Sequence, residues 1–473
     1  MLDRWLARIV ALLLAVAATF ALQNWSLVHL PRYLIAAALL LGLGLTLCLA
    51  QRDSWLYRLP AATFLLGALA LFLLLRLAWI GAVPTLPVAD FENAHRSAMA
   101  LAQGRFEAPP LIEVGSPLLF GLVYWLFGPN LLAAKLLNLG LSLATALLLF
   151  VVARRALGEP EARVALLLVA IWPAQIMMSS VLASEMACGL AVFGALALLV
   201  PASSREPSPR ALAAAGGLLG LACAMRTVAV LLPAAAVAWW LASVHKGRPG
   251  RLGGAALLVG GFALVAGLYL GLRWTLYGIP LARSSSPVPI LAGANVEARG
   301  MWNQKDEDLG YRLLDQYGPA GAGRAALRIA LERIRANPRG FVRLLFEKYD
   351  VLWADDTYGV QWSTVRLGPG RLGQLLWARR SRLYGLAQLF YAWLLTLAAL
   401  GGWRLSRRMV PSGVRLLLLI FLGYVLLHSL VEVQGRYHYI WALFFALLAG
   451  YGLLGLQARP ALSPVELQGP TGR

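Results

Sequence analysis

Long apolar runs separated by short basic stretches dominate the chain, and most of the runs have the length of membrane-crossing helices. Crossing the hydrocarbon takes about 20 mostly apolar residues as a helix. Runs near that length fall at 7–22, 33–50, 61–82, 131–153, 162–179, 186–201, 211–226, 228–244, 253–272, 383–403, 413–430 and 437–457. The pattern predicts an all-α polytopic membrane protein with about twelve transmembrane helices. Residues 9–22 also resemble the apolar stretch of a signal peptide, with Arg4 and Arg8 ahead and small residues near Ala21. A second apolar run follows almost at once, which favours a first spanning helix.

The polar stretches set the orientation. Lys and Arg in short loops favour the cytoplasmic side. With Arg4 and Arg8 inside, alternation puts five loops on that side: Arg52/Arg58, Arg154/Arg155, Arg205/Arg210, Lys246/Arg248/Arg251 and Arg404/Arg407/Arg408. The opposite face then carries segment 83–130, turns near 180–185, 226–227 and 431–436, and the long stretch 273–382. Long translocated loops escape the charge bias, so the basic character of 273–382 is no objection. That stretch holds a helical pattern from Ala325 to Ile334, then Asn337-Pro338, then an amphipathic run from Phe341 to Trp353. Both runs read as juxtamembrane helices lying on the membrane. Segment 116–128 is apolar but too short to span, and reads as an interfacial or re-entrant helix entered at Pro117 and ended at Gly128-Pro129. Five parts follow: an N-terminal two-helix segment (1–60), a core with the first outer loop (61–272), an outer loop (273–382), three last spans (383–457) and a cytoplasmic tail (458–473).

Composition agrees with this pattern. The chain is 60% hydrophobic and 14% charged, against about 25% charged in soluble domains. Its formal charge of +20 comes mostly from Arg scattered through loops. No compact basic block interleaved with aromatics appears, so loop charge that orients the protein is the reading, and nucleic acid is not an expected partner. Cys48, Cys188 and Cys223 lie in apolar runs, without zinc spacing or a disulfide framework, and read as packing residues. There is no phosphate-binding Walker loop, HExxH, GxSxG or CxxC, which removes ATP-driven transport and the common hydrolases from the front rank.

Charges at membrane depth cost about 2.5–3.5 kcal/mol each and need a reason. Asp90, Glu92, Lys135, Glu185, Arg226, Glu432 and Arg436 all fall at or near the non-cytoplasmic ends of different spans. Topology alone therefore assigns them to one face. Asp90 follows Pro84 and Pro87 and opens a helical run, Phe91 to Gln103. Its carboxylate could cap that helix or act as a general base on a sugar hydroxyl, which is a poor nucleophile until its proton is removed. Glu92 points elsewhere around the same helix and is expected to pair with Arg96. Glu185 could favour a helix N-terminus, accept a hydrogen bond from a sugar, or pair with Arg226. Arg436 sits between aromatic residues. It could snorkel to headgroups or hold a lipid-linked phosphate with its guanidinium fork. Lys135, one turn inside its span, is expected to meet a carboxylate or phosphate. His438 reads as a polar-tipped packing residue more readily than as a ligand. The acidic runs Asp306-Glu307-Asp308 and Asp355-Asp356 read as solvated loop, with a divalent cation as the other option. No metal ligand and no cofactor is assigned.

The order of these features resembles the GT-C glycosyltransferases, and within them the bacterial family 39 members related to protein O-mannosyltransferases and to the transferase that adds aminoarabinose to lipid A. The matching residues are Asp90 with Ala100-Leu101-Ala102-Gln103-Gly104, Ser116-Pro117-Leu118-Leu119 with Phe127-Gly128, and Lys135-Leu136-Leu137-Asn138. Further on come Ala153-Arg154-Arg155-Ala156-Leu157-Gly158, Pro173, Ser184-Glu185, Arg226 and Arg436-Tyr437. Strings 293–303 and 347–353 in the outer loop also resemble bacterial members. Two departures stand out. Phe91 separates Asp90 from Glu92, where O-mannosyltransferases have adjacent acids, and His95 stands where many bacterial members have Tyr.

The resemblance implies inverting transfer of a sugar from a polyprenyl-phosphate donor, on the extracytoplasmic face of a bacterial inner membrane, with Asp90 as catalytic base. The expected substrate-binding set is Lys135, Glu185, Arg226, Arg436, Glu92 and His438. Expected partners are the lipid-linked donor, membrane lipids and an acceptor glycan, lipid or protein. A polysaccharide ligase of related architecture would use much the same site. A lipid flippase or secondary transporter would show paired halves and charges near mid-membrane.

Overall fold

In the computed structural model, residues 2–28, 30–51, 55–106, 114–200, 206–243, 250–279 and 286–456 are described. The predicted tail 458–473 lies outside them, as do Arg52, Arg205, Lys246 and Arg248 of the orienting loops. Every regular element among the described residues is helical, and one isolated bridge joins Thr85 to Leu367.

Eight of these helices are long and apolar enough to cross a membrane: Leu2–Leu22, Arg32–Ala50, Ala61–Ala82, Leu131–Ala156, Arg251–Tyr277, Arg380–Leu405, Ser412–Leu430 and Gly435–Leu454. The other predicted spans are shorter helices, Glu185–Leu199, Pro209–Met225 and Leu231–Ser243, together with the run at 162–179. That last run corrects the expectation of a single span. It is divided into Glu159–Ile171 and Pro173–Met178. Pro173 has no N–H to donate, and the residue before a proline is pushed out of the helical region; Trp172 accordingly sits at φ −67°, ψ 114°. The carbonyls freed at the break are satisfied from another helix. Buried Arg76 of Ala61–Ala82 donates to Val169 and Ala170, each at 3.0 Å.

Gly435–Leu454 is the central element, with 89% of its apolar window buried inside the protein. Helices Arg380–Leu405 and Glu159–Ile171 pack against it, and Leu2–Leu22 covers Arg380–Leu405. By contrast Arg251–Tyr277 buries only 6% of its window and packs on Pro209–Met225 through glycines. A Cβ at Gly216 would collide with the Leu258 carbonyl, and one at Gly261 with the Ala213 carbonyl. Small residues let helix backbones approach closely where lipid supplies no hydrophobic drive. At the ends expected to face the cytoplasm, Arg155 donates to Ala197 and Val200, Arg251 to Leu241 and Arg404 to Gly452, all of them carbonyls near helix C-termini.

The outer stretch is more helical than its pattern suggested. Gln304–Ala336 runs through a kink where Gly318 takes φ 65° ahead of Pro319, and Pro338–Trp353 follows directly. Asn337 separates them, and its side chain accepts from the Gly340 N–H at 2.8 Å. The short apolar segment is helix Gly115–Phe127, ended at Gly128 with φ 73°, as its length and flanking residues predict.

Lys348 fastens this outer layer to the spans. Its ammonium is buried and donates to the Gly293 carbonyl at 3.0 Å and the Ser429 carbonyl at 2.9 Å. Burial pulls it down to about 7, from an ordinary value near 10.4. The folded value lies below the unfolded one, so between about pH 7 and 10 the unfolded chain holds a proton that the folded chain has lost. Stability therefore rises with pH across that window. In detergent, the unfolding temperature is expected to climb between pH 6.5 and 9, and Lys348→Met to remove most of the slope. An equal slope in the variant would rule out Lys348 as its origin.

Candidate active site

The site begins with an extended strap, Val83 to Val88, between helices Ala61–Ala82 and Ala89–Ala102. Pro84 and Pro87 bar helix continuation. Backbone bonds from Leu86 N–H to the Arg366 carbonyl (2.9 Å) and from Gly368 N–H to the Pro84 carbonyl (2.8 Å) tie the strap to the outer layer. The Thr85 hydroxyl donates to the Ser363 carbonyl at 2.7 Å and meets Ser180 at 2.8 Å. Lys135 is placed here: its ammonium donates to the Thr85 carbonyl at 2.8 Å, deep in the protein. Of the carboxylate or phosphate expected of it, no carboxylate is met among the described residues; the bond to this backbone carbonyl fixes the strap that feeds Asp90.

Ala89 then takes φ 49°, a left-handed conformation that costs a non-glycine residue about 1–3 kcal/mol. This turn presents Asp90 at the start of Ala89–Ala102, but no side chain caps that helix. The carboxylate faces Arg436 instead. Arg436 Nη2 donates to Asp90 Oδ2 at 2.6 Å, with the Arg436 side chain 5% exposed and Asp90 54% exposed. One partner is therefore anchored in the protein, and the other is half open to solvent.

Arg436 leaves a 3₁₀ turn, Gly435–His438, that starts the central helix. Its guanidinium carbon lies 4.9 Å from the Phe91 ring centre, 5.2 Å from Trp362 and 5.8 Å from Tyr437. Aromatic faces hold a cation without using its N–H groups. Nε and Nη1 have no hydrogen-bond partner among the described residues. Buried donors without partners cost about 1–3 kcal/mol each.

A second ion pair lies across Tyr437. Arg226 donates to Glu185 Oε1 at 3.1 Å, and its guanidinium stands 4.9 Å from the Tyr437 ring centre. The Tyr437 hydroxyl in turn donates to Glu432 Oε1 at 3.0 Å, as does Gln434 at 2.8 Å. Burial pushes the Glu432 carboxyl up, against the pull of these bonds and of Arg436. Glu185 is 2% exposed, so Arg226→Met would leave a buried carboxylate without its cation. Losing one partner of a buried pair costs about 3–5 kcal/mol. A clear fall in unfolding temperature is expected, recovered in the Glu185→Gln/Arg226→Met double variant. No recovery would mean that Arg226 acts through other contacts.

The remaining candidates lie around this centre. Glu92 accepts from Arg96 at 2.6 Å, as the spacing predicts, and from Arg366 at 3.2 Å. These partners hold its carboxyl low, the Arg96 hydrogen bond most of all. His438 is fully buried. Its Nδ1–H donates to the Leu352 carbonyl at 2.6 Å, and Nε2 stands 3.3 Å from Asp356. Asp356 also accepts from Trp172 at 2.7 Å, and Asp306 accepts from Arg333, Asn295 and Asn303. Both acids are buried, a correction to their reading as solvated loop. Trp362 was not singled out from sequence. It sits in a seven-residue helix, Tyr358–Thr364, too short for a periodic signal, and the aromatic density around it was the only clue.

A cleft of about 760 Å³ opens beside this centre, with Arg436, Trp362, Trp302, Asp350 and Asp355 in its walls.

Residues 109–268 match the family model described as dolichyl-phosphate-mannose-protein mannosyltransferase. The segment contains Lys135, Glu185 and Arg226 and stops short of Asp90 and Arg436 on either side. No curated protein matches the chain in sequence. Among solved structures it is similar to ArnT from Cupriavidus metallidurans bound to undecaprenyl phosphate, with 16% identity, 84% of this chain and 79% of that chain covered, and a TM-score of 0.39. It is also similar to the oligosaccharyltransferase AglB from Archaeoglobus fulgidus in complex with an inhibitory peptide and a dolichol-phosphate, with 13% identity and a TM-score of 0.46. That match covers 85% of this chain and 50% of the archaeal one, so the chain spans about half the length of AglB. Over residues 109–268, about a third of the chain, this protein is therefore similar to the dolichyl-phosphate-mannose-protein mannosyltransferases.

Proposed function

We propose that this protein moves a sugar from a polyprenyl-phosphate donor to an acceptor hydroxyl, with inversion, on the extracytoplasmic face of a bacterial inner membrane. The observation that carries the reading is the pairing of a half-exposed carboxylate, Asp90, with a buried arginine that keeps two N–H donors unfilled. The family description over residues 109–268 supports a polyprenyl-phosphate sugar as donor. The arginines that close helix ends on the other side support an extracytoplasmic site.

In the resting site Asp90 occupies Arg436. A donor phosphate offers two oxygens to the same fork and fills Nε and Nη1 as well. Its arrival frees the Asp90 carboxylate to accept the acceptor's hydroxyl. The acceptor oxygen attacks the anomeric carbon from the face opposite the phosphate, and its proton passes to Asp90. The bond from that carbon to the phosphate oxygen breaks, and its electron pair leaves on polyprenyl phosphate. Arg436 counters the charge that grows there, so the leaving group needs no separate acid. Arg226, two ring contacts away across Tyr437, adds positive potential at the same place.

Membranes containing the protein, supplied with a polyprenyl-phosphate sugar labelled in the sugar, provide the test. Label is expected in a product that survives mild acid, with release of polyprenyl phosphate. Donor that crosses the bilayer unchanged, with no such product, would replace transferase by flippase.

A further inference from the structure

We infer that His95 and Tyr124 form a latch that positions Asp90, closed while the imidazole is neutral and released when it takes a proton. The inference rests on Asp90 as the base and adds a regulation of that site. His95 follows Asp90 on helix Ala89–Ala102, about 140° around the axis and about 7.5 Å along it. Asp90 therefore faces Arg436, while His95 turns toward the interfacial helix Gly115–Phe127. There its Nδ1 meets the Tyr124 hydroxyl at 2.8 Å, and the two rings stand edge to face, 5.5 Å apart at 86°. Around this pair the packing is apolar. Ala98 and Phe120 belong to one buried cluster, and a Cβ at Gly121 would run into Leu101. Apolar burial is not directional, so it holds the two helices together without fixing their register. The hydrogen bond does.

The latch matters most when the donor is bound. In the resting site Asp90 is tied to Arg436, and the proposed chemistry gives that arginine to the phosphate. The ion pair of Glu92 with Arg366 remains, but it joins side chains 27% and 53% exposed, and such pairs hold little. The sheltered tie is the one to Tyr124, which is 2% exposed.

Protons decide whether the latch holds. A neutral imidazole with its proton on Nε2 offers Nδ1 as an acceptor, and the Tyr124 O–H donates to it. Burial pushes the Tyr124 hydroxyl up, so it keeps its proton. An imidazolium has only donors. Its Nδ1–H and the phenol proton then compete for one line, and a buried hydroxyl loses its acceptor. Burial first, and then Arg96, pulls His95 below its ordinary value against Glu92, which is itself engaged by Arg96 and Arg366. From helix Leu131–Ala156, the Lys135 ammonium is turned to the Thr85 carbonyl. The folded value thus lies below the unfolded one near 6.5. The latch is fully closed above about pH 6.5 and opens as pH falls from there toward the folded value.

The full chain in nanodiscs is assayed with a labelled polyprenyl-phosphate sugar from about pH 7.5 down to about pH 5, across the titration range of histidine. The native kcat is expected to fall on the acid side while KM for the donor holds, because Arg436 lies outside the latch. His95→Asn places an amide oxygen near the Nδ1 position, where it accepts from Tyr124 without titrating. It should keep the neutral-pH kcat and flatten the acid limb. Tyr124→Phe should lower kcat at neutral pH by up to about 10²-fold, the scale for a reacting group misplaced by about 1 Å. An acid limb in His95→Asn equal to the native one, or native kcat in Tyr124→Phe, overturns the inference. Hydrogen–deuterium exchange over 89–102, corrected for its intrinsic pH dependence, reads the latch without turnover. Protection should drop below about pH 6 in the native chain and persist in His95→Asn. No drop in the native chain overturns the latch whatever the activity. A drop without sugar transfer at any pH would remove the transferase reading and leave the latch standing.

Discussion

Asp90→Asn is expected to fold, insert and bind the lipid donor, yet to lose about 10²–10⁴-fold in transfer rate, the usual contribution of a positioned base. The side-chain oxygen of asparagine can still accept from Arg436, so the contact at 2.6 Å that joins strap to central helix survives. What disappears is the capacity to take a proton. An amide cannot hold the acceptor's proton as the new bond forms, and the acids nearest in sequence or topology are engaged elsewhere. Glu92 is occupied by Arg96 and Arg366, and Glu185 by Arg226. Asp90→Glu keeps the chemistry but shifts the oxygens by one methylene, so a partial loss is expected there. Turnover of a polyprenyl-phosphate sugar by Asp90→Asn at the wild-type rate would dismiss Asp90 as the base.

The second large effect belongs to Arg436. Arg436→Gln is expected to lower kcat/KM by about 10²–10³-fold, the scale on which one preorganised donor stabilises developing charge. The loss should fall on kcat as well as KM, because the phosphate is more negative as it leaves than when it binds. Arg436→Lys is the informative companion. It keeps the positive charge among Phe91, Trp362 and Tyr437 but cannot bind two oxygens at once. It should therefore fold and retain part of the activity. Inhibition by sugarless undecaprenyl phosphate gives an independent reading, and should weaken in both variants. If that lipid inhibits Arg436→Gln as well as it inhibits the native protein, the phosphate sits elsewhere.

Much of the fold could be read along the chain because the bilayer admits few solutions. A spanning segment must satisfy its own backbone, so long apolar runs become helices. Pro117 and Gly128 bounded a short helix before any packing was known, and Asn337-Pro338 divided the outer helices. The break at Trp172-Pro173 was missed because the apolar count ran on across it. Whether a proline kinks a helix or ends it depends on what satisfies the freed carbonyls, and here Arg76 does so from a helix about a hundred residues away.

Sequence by itself assigned Asp90, Glu185, Arg226 and Arg436 to one face, through chain alternation and loop charge. It also carried the pairing of Glu92 with Arg96, a neighbour on the same helix. Only the tertiary structure decided which charges meet. Asp90 and Arg436 are 346 positions apart, and their contact rests on the strap, on Ala89 held at φ 49° and on a central helix buried by its neighbours. The same packing drew Lys135 to a backbone carbonyl and turned Asp306 and Asp356 inward. The spacing of residues along a chain sets local partners; a partner across the fold is chosen by whichever arrangement leaves the fewest buried charges and donors unsatisfied. Among the described residues, that arrangement left Nε and Nη1 of Arg436 without partners.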